Sequence, residues 1–294
     1  MLITTSMKTA SHQFIAQFFY TDKAIASAMD KNYVSVIEDD TDPALITIDI
    51  GADGDVFGRK DDEAYTIKRI DGQLYQGYVC AIYDPSSIEL GITESLGYVG
   101  EKISSSSLRR NALVAINASG FDDRYMTSMG GQPSGLVIKD GEIVWDNRDS
   151  KEERNIIGFN ENGILTLINA IPEDALTHGV KNAVEFKPFL IVNGEKAEIA
   201  GNGGWGIAPR TAIGQTSCGT VIFLVIDGRA ANSFGASLVD IQNIMSEHGA
   251  VNAANLDGGA TSLMVERGRV ISNPASNFDD GELLCPTWFM AVEK

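Results

Sequence analysis

Six apolar residues run without interruption from Val221 to Ile226 in "TVIFLVID". A strand points successive side chains to opposite faces, so this run needs apolar cover on both sides. One cover is written directly downstream. In "SLVDIQNIMSEHG", Leu238, Ile241, Ile244 and Met245 share one helical face, Ser237 and Asp240 have the spacing of a capping box, and Gly249 is placed to end the helix. The spacing predicts a helix from about Ser237 to His248, with His248 a surface residue complementing the dipole on its last turn. The strand-like "VNAANLD" follows, which gives the C-terminal third a β-α-β rhythm. Asp227 and Asp257 then each stand just past the C-terminal end of a strand, the edge at which α/β sheets build their sites.

Upstream, from Tyr75, short β-type segments alternate with turn signals. "YVCAIYD" and "IELGI", separated at Asp84-Pro85, read as a strand pair, and "SSSSLRRN" reads as a helix capped by the Ser104 to Ser107 run and leading into the buried strand "ALVAIN". Asp140-Gly141, Asn162-Gly163 and Asn193-Gly194 are hairpin signals flanked by apolar residues. The expected fold class is α+β: a mixed, mostly antiparallel β-sheet with the β-α-β C-terminal third.

Residues 1 to 72 read as an N-terminal appendage and 73 to 294 as a catalytic domain. In the appendage "FIAQFFYTDKAIASAM" has helical character, "YVSVIE" and "LITIDI" look like strands, and acidic stretches separate them. Asp53 and Asp55 read as a solvated acidic turn, because the spacing of an EF-hand loop fails. Docking of a protein partner through this region is an expectation drawn from its separateness.

Composition excludes several functions. With 23 Lys plus Arg against 40 Asp plus Glu, the formal charge of -17 repels nucleic acids and anionic lipid surfaces. No apolar run approaches the ~20 residues that cross a bilayer, so no membrane insertion is expected. The first nineteen residues interrupt their apolar positions with Thr, Ser, His and Gln, and so lack the compact segment of a secretory signal. Cys80, Cys218 and Cys285 are odd in number and without a C-x-x-C, and read as buried free thiols. The three histidines are not at ligand spacing, and no nucleophile elbow, zincin or P-loop motif is present; neither a metal nor a cofactor is expected.

What remains is a set of carboxylate, amide, guanidinium and hydroxyl groups next to glycine. It comprises Asn117 with Ser119 and Gly120; Arg210 with Thr211; Asp227-Gly228-Arg229; and Asn255 to Ser262, including Gly258, Gly259, Thr261 and Ser262. Glycine after a strand-terminal carboxylate permits positive φ and lets backbone N–H groups approach a ligand. Arginine adds a planar fork that suits phosphate oxygens. Each piece taken alone is equally an ordinary tight turn.

Taken together, "ALVAINASGF", "PSGLVIKDGEIV", "KPFLIVNGE", "APRTAIG", "FLVIDGRAANSFGASL", "AANLDGGATSLMV" and "NPAS" resemble, in order, the phosphodiester glycosidases. The resemblance runs from about Tyr78 to the C-terminus. It departs at two places: Asn117-Ala118-Ser119-Gly120-Phe121 stands where that family has Asn-Gly-Gly-Phe, and Ala260 and Thr261 replace a glycine and a serine of Asp-Gly-Gly-Gly-Ser-Ser.

The resemblance implies a glycoside hydrolase that cleaves the sugar C–O bond of a glycan or sugar 1-phosphodiester. The expected roles are Asp257 as nucleophile or base, Asp227 as its partner or as acceptor of a sugar hydroxyl, and Arg210 as the grip on phosphate. Arg229 is a second candidate cation for the leaving charge, with Thr211 and Ser262 assisting. Asn117, Ser119, Gly120, Thr211, Arg229, Asn255, Gly258, Gly259, Thr261 and Ser262 are the expected substrate contacts. That substrate class points to extracellular or virion-associated action. Two alternatives stand: a non-catalytic carbohydrate-binding or structural module on the same fold, and a phosphodiesterase cutting P–O.

Overall fold

A computed structural model describes residues 2–7, 13–51, 56–60, 63–122, 129–149, 151–276 and 281–294. Asp53 and Asp55 lie outside the described residues. Three sheets organise the chain. The largest has seven strands in the order Tyr65–Asp71, Gln76–Ile82, Val221–Ile226, Arg210–Thr216, Ala250–Asn255, Phe189–Val192 and Glu195–Lys196. A five-stranded sheet runs Arg269–Val270, Met264–Glu266, Ala112–Asn117, Thr287–Val292, Ile88–Ile92. A second five-stranded sheet, built on the hairpins, runs Glu142–Asp146, Leu136–Lys139, Val180–Glu185, Arg154–Asn160, Leu165–Ala170.

The central strand has the two-sided burial its sequence demands. Val221, Phe223 and Val225 enter a core shared with the two smaller sheets, while Ile222, Leu224 and Ile226 pack under Leu238, Ile241 and Met245 of the helix Leu238–Glu247. Ser237 and Asp240 form the capping box, His248 is the C-cap, and Gly249 takes φ +79°. The His248 ring also packs on Phe57, with centroids 5.0 Å apart. Val221–Ile226 and Ala250–Asn255 point the same way but do not touch. Arg210–Thr216 lies between them, antiparallel to both, so the helical crossover spans one intervening strand.

The three Asx-Gly hairpins form as their turn chemistry requires, with Asp140, Gly141, Gly163, Asn193 and Gly194 at positive φ. Elsewhere the structure corrects the sequence reading. "YVCAIYD" and "IELGI" do not pair. The one-turn helix Pro85–Ser87, capped by Asp84, redirects the chain from the large sheet to the small one. The Ser104–Ser107 run does not cap its helix; it lies inside Ile103–Arg109, which begins after Lys102 because Ile103 is buried. The free N–H of Ser104 is met instead by Glu282 at 2.8 Å.

Neither "YVSVIE" nor "LITIDI" forms a strand. The segment crosses the strand ends, bonding in turn to Glu198, Leu167, Ser217 and Cys218, and Pro43 starts a short turn rather than a ladder. "FIAQFFYTDKAIASAM" is helical over Gln13–Phe19 and Asp22–Asp30. The large sheet starts at Tyr65, ahead of the expected boundary at residue 73. All three cysteines are free, and Cys218 is half-buried at a hairpin tip rather than in the core.

One glycine tests the packing of the small sheet. Gly91 lies opposite Trp288, and a methyl there would stand 2.0 Å from Trp288 Nε1. The indole is fully buried and has no room to retreat. Gly91→Ala is expected to cost ~2 kcal/mol or more by overpacking, read as a lower urea midpoint; an unchanged midpoint would show that the strand pair opens freely.

Candidate functional site

Four strand termini meet at one edge. Asn117 closes the small-sheet strand Ala112–Asn117, and Arg210 opens the strand whose register partner is Ile226, the residue before Asp227. Ala212 in turn pairs with Asn255, two residues before Asp257. The Asp257 N–H donates to Ala118 O (3.1 Å), and the Asp257 carbonyl accepts from Asn117 Nδ2 (2.7 Å). Asn117 Oδ1 accepts from Thr211 Oγ1 (2.7 Å) and from the N–H of Leu263 (3.3 Å). Asn117 and Thr211, expected to touch substrate, therefore stitch the small sheet to the large one beneath the Asp257 loop. Both are buried. Ser119 is likewise internal, its hydroxyl 2.7 Å from Thr287 Oγ1.

The Asp257 carboxylate is held on one side. Thr261 Oγ1 lies 2.8 Å from Oδ2, so the threonine that replaces serine still supplies a hydroxyl donor. Burial pushes this carboxyl up to about 7, opposed by the Thr261 hydroxyl and the Gly258 N–H. Oδ1 faces Gly120: a methyl at 120 would lie 3.7 Å from it and 3.3 Å from Phe186 Cε2. The missing side chain of Gly120 thus keeps space open between the carboxylate and an aromatic wall.

Ala260 is harmless where it stands. It occupies the single turn Gly259–Thr261, and the positive φ of that turn, +79°, falls on Gly259. Bare Gly258 and Gly259 make room for two groups. Ser262 Oγ, buried and without a hydrogen-bond partner among the described residues, lies 3.7 Å from where a Gly258 methyl would be. Arg229 Nη2 lies 3.2 Å from the corresponding point at Gly259.

The two arginines differ in burial and in partners. Arg210 is 4% exposed, and its side chain lies on the helix side of the sheet, away from Thr211. Nε donates to Ala236 O (3.1 Å), and Nη2 donates to Trp205 O (2.9 Å) and Gly206 O (2.8 Å). Burial lowers its pKa to about 10, with Asp240 opposing. Arg210 is thus not the grip on phosphate; alternation along the strand aims it into the fold. Arg229, by contrast, is exposed and takes φ +56°, an uncommon conformation for a residue with a side chain. Its guanidinium has no hydrogen bond or ion pair among the described residues. Desolvation by its surroundings lowers its pKa.

Asp227 is buried and braces its neighbours: Oδ1 accepts from the N–H of Asn273 (2.8 Å), and its carbonyl accepts from Ser233 Oγ (2.6 Å). Burial raises its pKa, against the Asn273 N–H and Arg69. Asn255 donates to Lys187 O (3.0 Å), leaving Oδ1 unpartnered. Sequence reasoning missed Phe186 and Trp205, whose rings lie 6.2 Å apart beside this edge. Their only signal was two aromatics outside the alternating core pattern.

Fold and edge together define an α+β protein in which strand ends of two sheets meet at two carboxylates and bare glycines. The chain belongs to the phosphodiester glycosidase family, whose model matches residues 110–290. It is 31% identical over 198 residues to the SPbeta prophage-derived uncharacterized protein YomE of Bacillus subtilis, covering 65% of this chain and 29% of that protein. It is 32% identical over 80 residues to bovine N-acetylglucosamine-1-phosphodiester alpha-N-acetylglucosaminidase, covering 27% of this chain and 15% of the enzyme. The chain thus spans under a third of the length of these relatives. The zebrafish N-acetylglucosamine-1-phosphodiester alpha-N-acetylglucosaminidase catalytic domain shares the fold, with a TM-score of 0.63, 22% identity, and coverage of 80% of this chain and 86% of that one.

Proposed function

We propose that this chain hydrolyses the sugar C–O bond of a glycan or sugar 1-phosphodiester, releasing sugar and phosphomonoester. The observation that carries this reading is one loop that holds a half-open carboxylate, Asp257, and brings Gly259 to Arg229. Arg229 Nη2 stands 3.2 Å from where a Gly259 methyl would be, and the guanidinium has no hydrogen bond or ion pair among the described residues. A phosphomonoester leaving group has a second pKa near 6, so its departure needs little protonation. A fixed cation can stabilise the charge that develops on it instead. Arg229 does this, with the Ser262 hydroxyl as a second donor. Asp257 acts at the anomeric carbon in its ionised form, and Asp227 holds the surrounding loops. A glycan phosphodiester of the cell surface is the substrate class this reading favours, and with it action outside the cell.

Hydrolysis of an α-N-acetylglucosamine 1-phosphodiester in ¹⁸O water tests the reading, with label expected in the sugar hydroxyl. Label in the phosphate would make the protein a phosphodiesterase, and no release would leave a binding module. Because Asp257 must be ionised, kcat/KM is expected to rise with pH with an apparent pKa of about 7. A flat profile between pH 5.5 and 8.5 would remove Asp257 from the chemistry.

Arg229→Ala is expected to raise KM and lower kcat together, by ~2 to 3 kcal/mol in kcat/KM, while the melting temperature stays put because no internal bond is lost. Arg229→Lys should recover part of this, since a point charge does not reproduce the planar fork.

A further inference from the structure

Beside the aromatic wall lies a groove of about 350 Å³, bounded on one side by residues 29–37 and on the other by 187–189 and 203–205. We propose that this groove is a second subsite, which holds the aglycone of an oligomeric glycan phosphodiester on the far side of the scissile bond. The inference rests on the function proposed above and adds the substrate class: a polymer, rather than a small phosphodiester.

Two contacts join the lining of the groove to the catalytic edge. Phe186, which faces Asp257 across Gly120, has its ring 6.2 Å from that of Trp205, and Trp205 lines the groove. The backbone of Lys187, another lining residue, is tied by its carbonyl to Asn255, two residues before Asp257. These contacts set the groove next to the catalytic edge, where the proposal places the aglycone beyond the phosphate.

The lining has sugar-phosphate chemistry. Trp205 is half-buried and Tyr33 is 46% exposed, so each has aromatic surface for the C–H face of a sugar ring. Ser35 Oγ accepts from the Glu198 N–H and keeps its own proton to donate, while Asn32 and Asn155, whose Nδ2 groups donate to Ala28 O and Asn169 Oδ1, each keep a second amide proton for a sugar hydroxyl. Lys187 is exposed and has no side-chain hydrogen bond or ion pair among the described residues, leaving its ammonium for the next phosphate along the polymer.

The wall formed by residues 29–37 is built in advance of any ligand. Ser35 and Glu198 exchange hydrogen bonds at 2.8 Å, the N–H of Ala200 donates to Tyr33 O at 2.9 Å, and Asn32 Oδ1 accepts from the N–H of Asn202 at 3.0 Å. Gly204, at φ +76°, lets Asn32 approach so closely that a methyl would stand 2.5 Å from its carbonyl oxygen. A fixed wall lowers the ordering cost of binding. It lies outside residues 110–290, the span matched by the family model.

The test compares two substrates of the full chain: the methyl phosphodiester of N-acetylglucosamine 1-phosphate, and an oligomer of N-acetylglucosamine 1-phosphate with several repeats. The variant is Tyr33→Ala/Lys187→Ala, with Trp205→Phe as a second that keeps an aromatic face. The ratio of kcat/KM for oligomer over methyl ester is expected to fall ~10-fold in the double variant and to stay near wild type in Trp205→Phe. An unchanged ratio overturns the subsite, whether both rates hold or both fall. Calorimetric binding of the oligomer to Asp257→Asn separates this from the catalytic reading. Binding weakened by Tyr33→Ala/Lys187→Ala upholds the groove even if wild-type protein cleaves neither substrate; oligomer binding no tighter than methyl ester binding overturns it.

Discussion

Asp257→Asn is expected to lower kcat by roughly a thousandfold or more while leaving substrate binding nearly intact, because the carboxylate acts mainly in the transition state. The same change is expected to stabilise the fold at pH 8. Burial raises the Asp257 carboxyl to about 7, so the folded chain holds that proton more tightly than the unfolded chain does. Between the ordinary aspartate range and about pH 7 the folded state therefore binds more protons, and stability falls as pH rises. Above that window a charged carboxylate remains in a poorly solvated place, and the amide removes the charge while still accepting from Thr261.

The gain is on the order of 2 kcal/mol at pH 8, discounted because solvent reaches part of the residue, and it should vanish near pH 4. Urea melts at the two pH values, alongside turnover, read both effects. A folded Asn variant with wild-type turnover would move the active site elsewhere. A variant less stable than wild type at pH 8 would make Asp257 a turn anchor whose charge the fold needs.

The parts of this site that were legible in the sequence are those fixed by local chemistry. The run Val221 to Ile226, the capping box at Ser237 and the Asx-Gly turns each contain their own instruction, and they locate Asp227 and Asp257 at strand ends. Which face a side chain takes was not legible. Arg210 and Thr211 alternate as any strand pair must, yet only the docking of the helix Leu238–Glu247 decides that Arg210 points under it and Thr211 towards Asn117. Partners distant in sequence were equally hidden. Glu282 meets the Ser104 N–H across 178 residues, and the wall of Phe186 and Trp205 assembles from two loops that no periodicity connects. "YVSVIE" had strand composition, but composition does not reveal whether a sheet edge is available to receive it.

Arg210→Ala is expected to be the most destabilising single change at this edge, at about 3 to 5 kcal/mol, with a sharp drop in melting temperature and soluble yield. The guanidinium closes three carbonyls, those of Trp205, Gly206 and Ala236, in a place where 4% of the residue meets solvent. Truncation takes this donor from the Trp205 and Gly206 carbonyls, leaves Ala236 O with only the Ala208 N–H, and opens a cavity under the helix. Lysine in its place recovers little, since one ammonium on a flexible stem cannot reproduce donors fixed in a plane. The loss should spread to catalysis only through geometry, because the carbonyls of Trp205 and Gly206 hold the loop that carries the aromatic wall. Arg229→Ala gives the reverse pattern, with kinetics impaired and stability kept. Melting curves and kcat/KM for the two alanine variants therefore decide between the assignments. If Arg210→Ala melts with wild type and loses substrate affinity, the phosphate grip belongs to Arg210, as its place in the sequence implies, and the bonds drawn here to the three carbonyls are not what holds that loop.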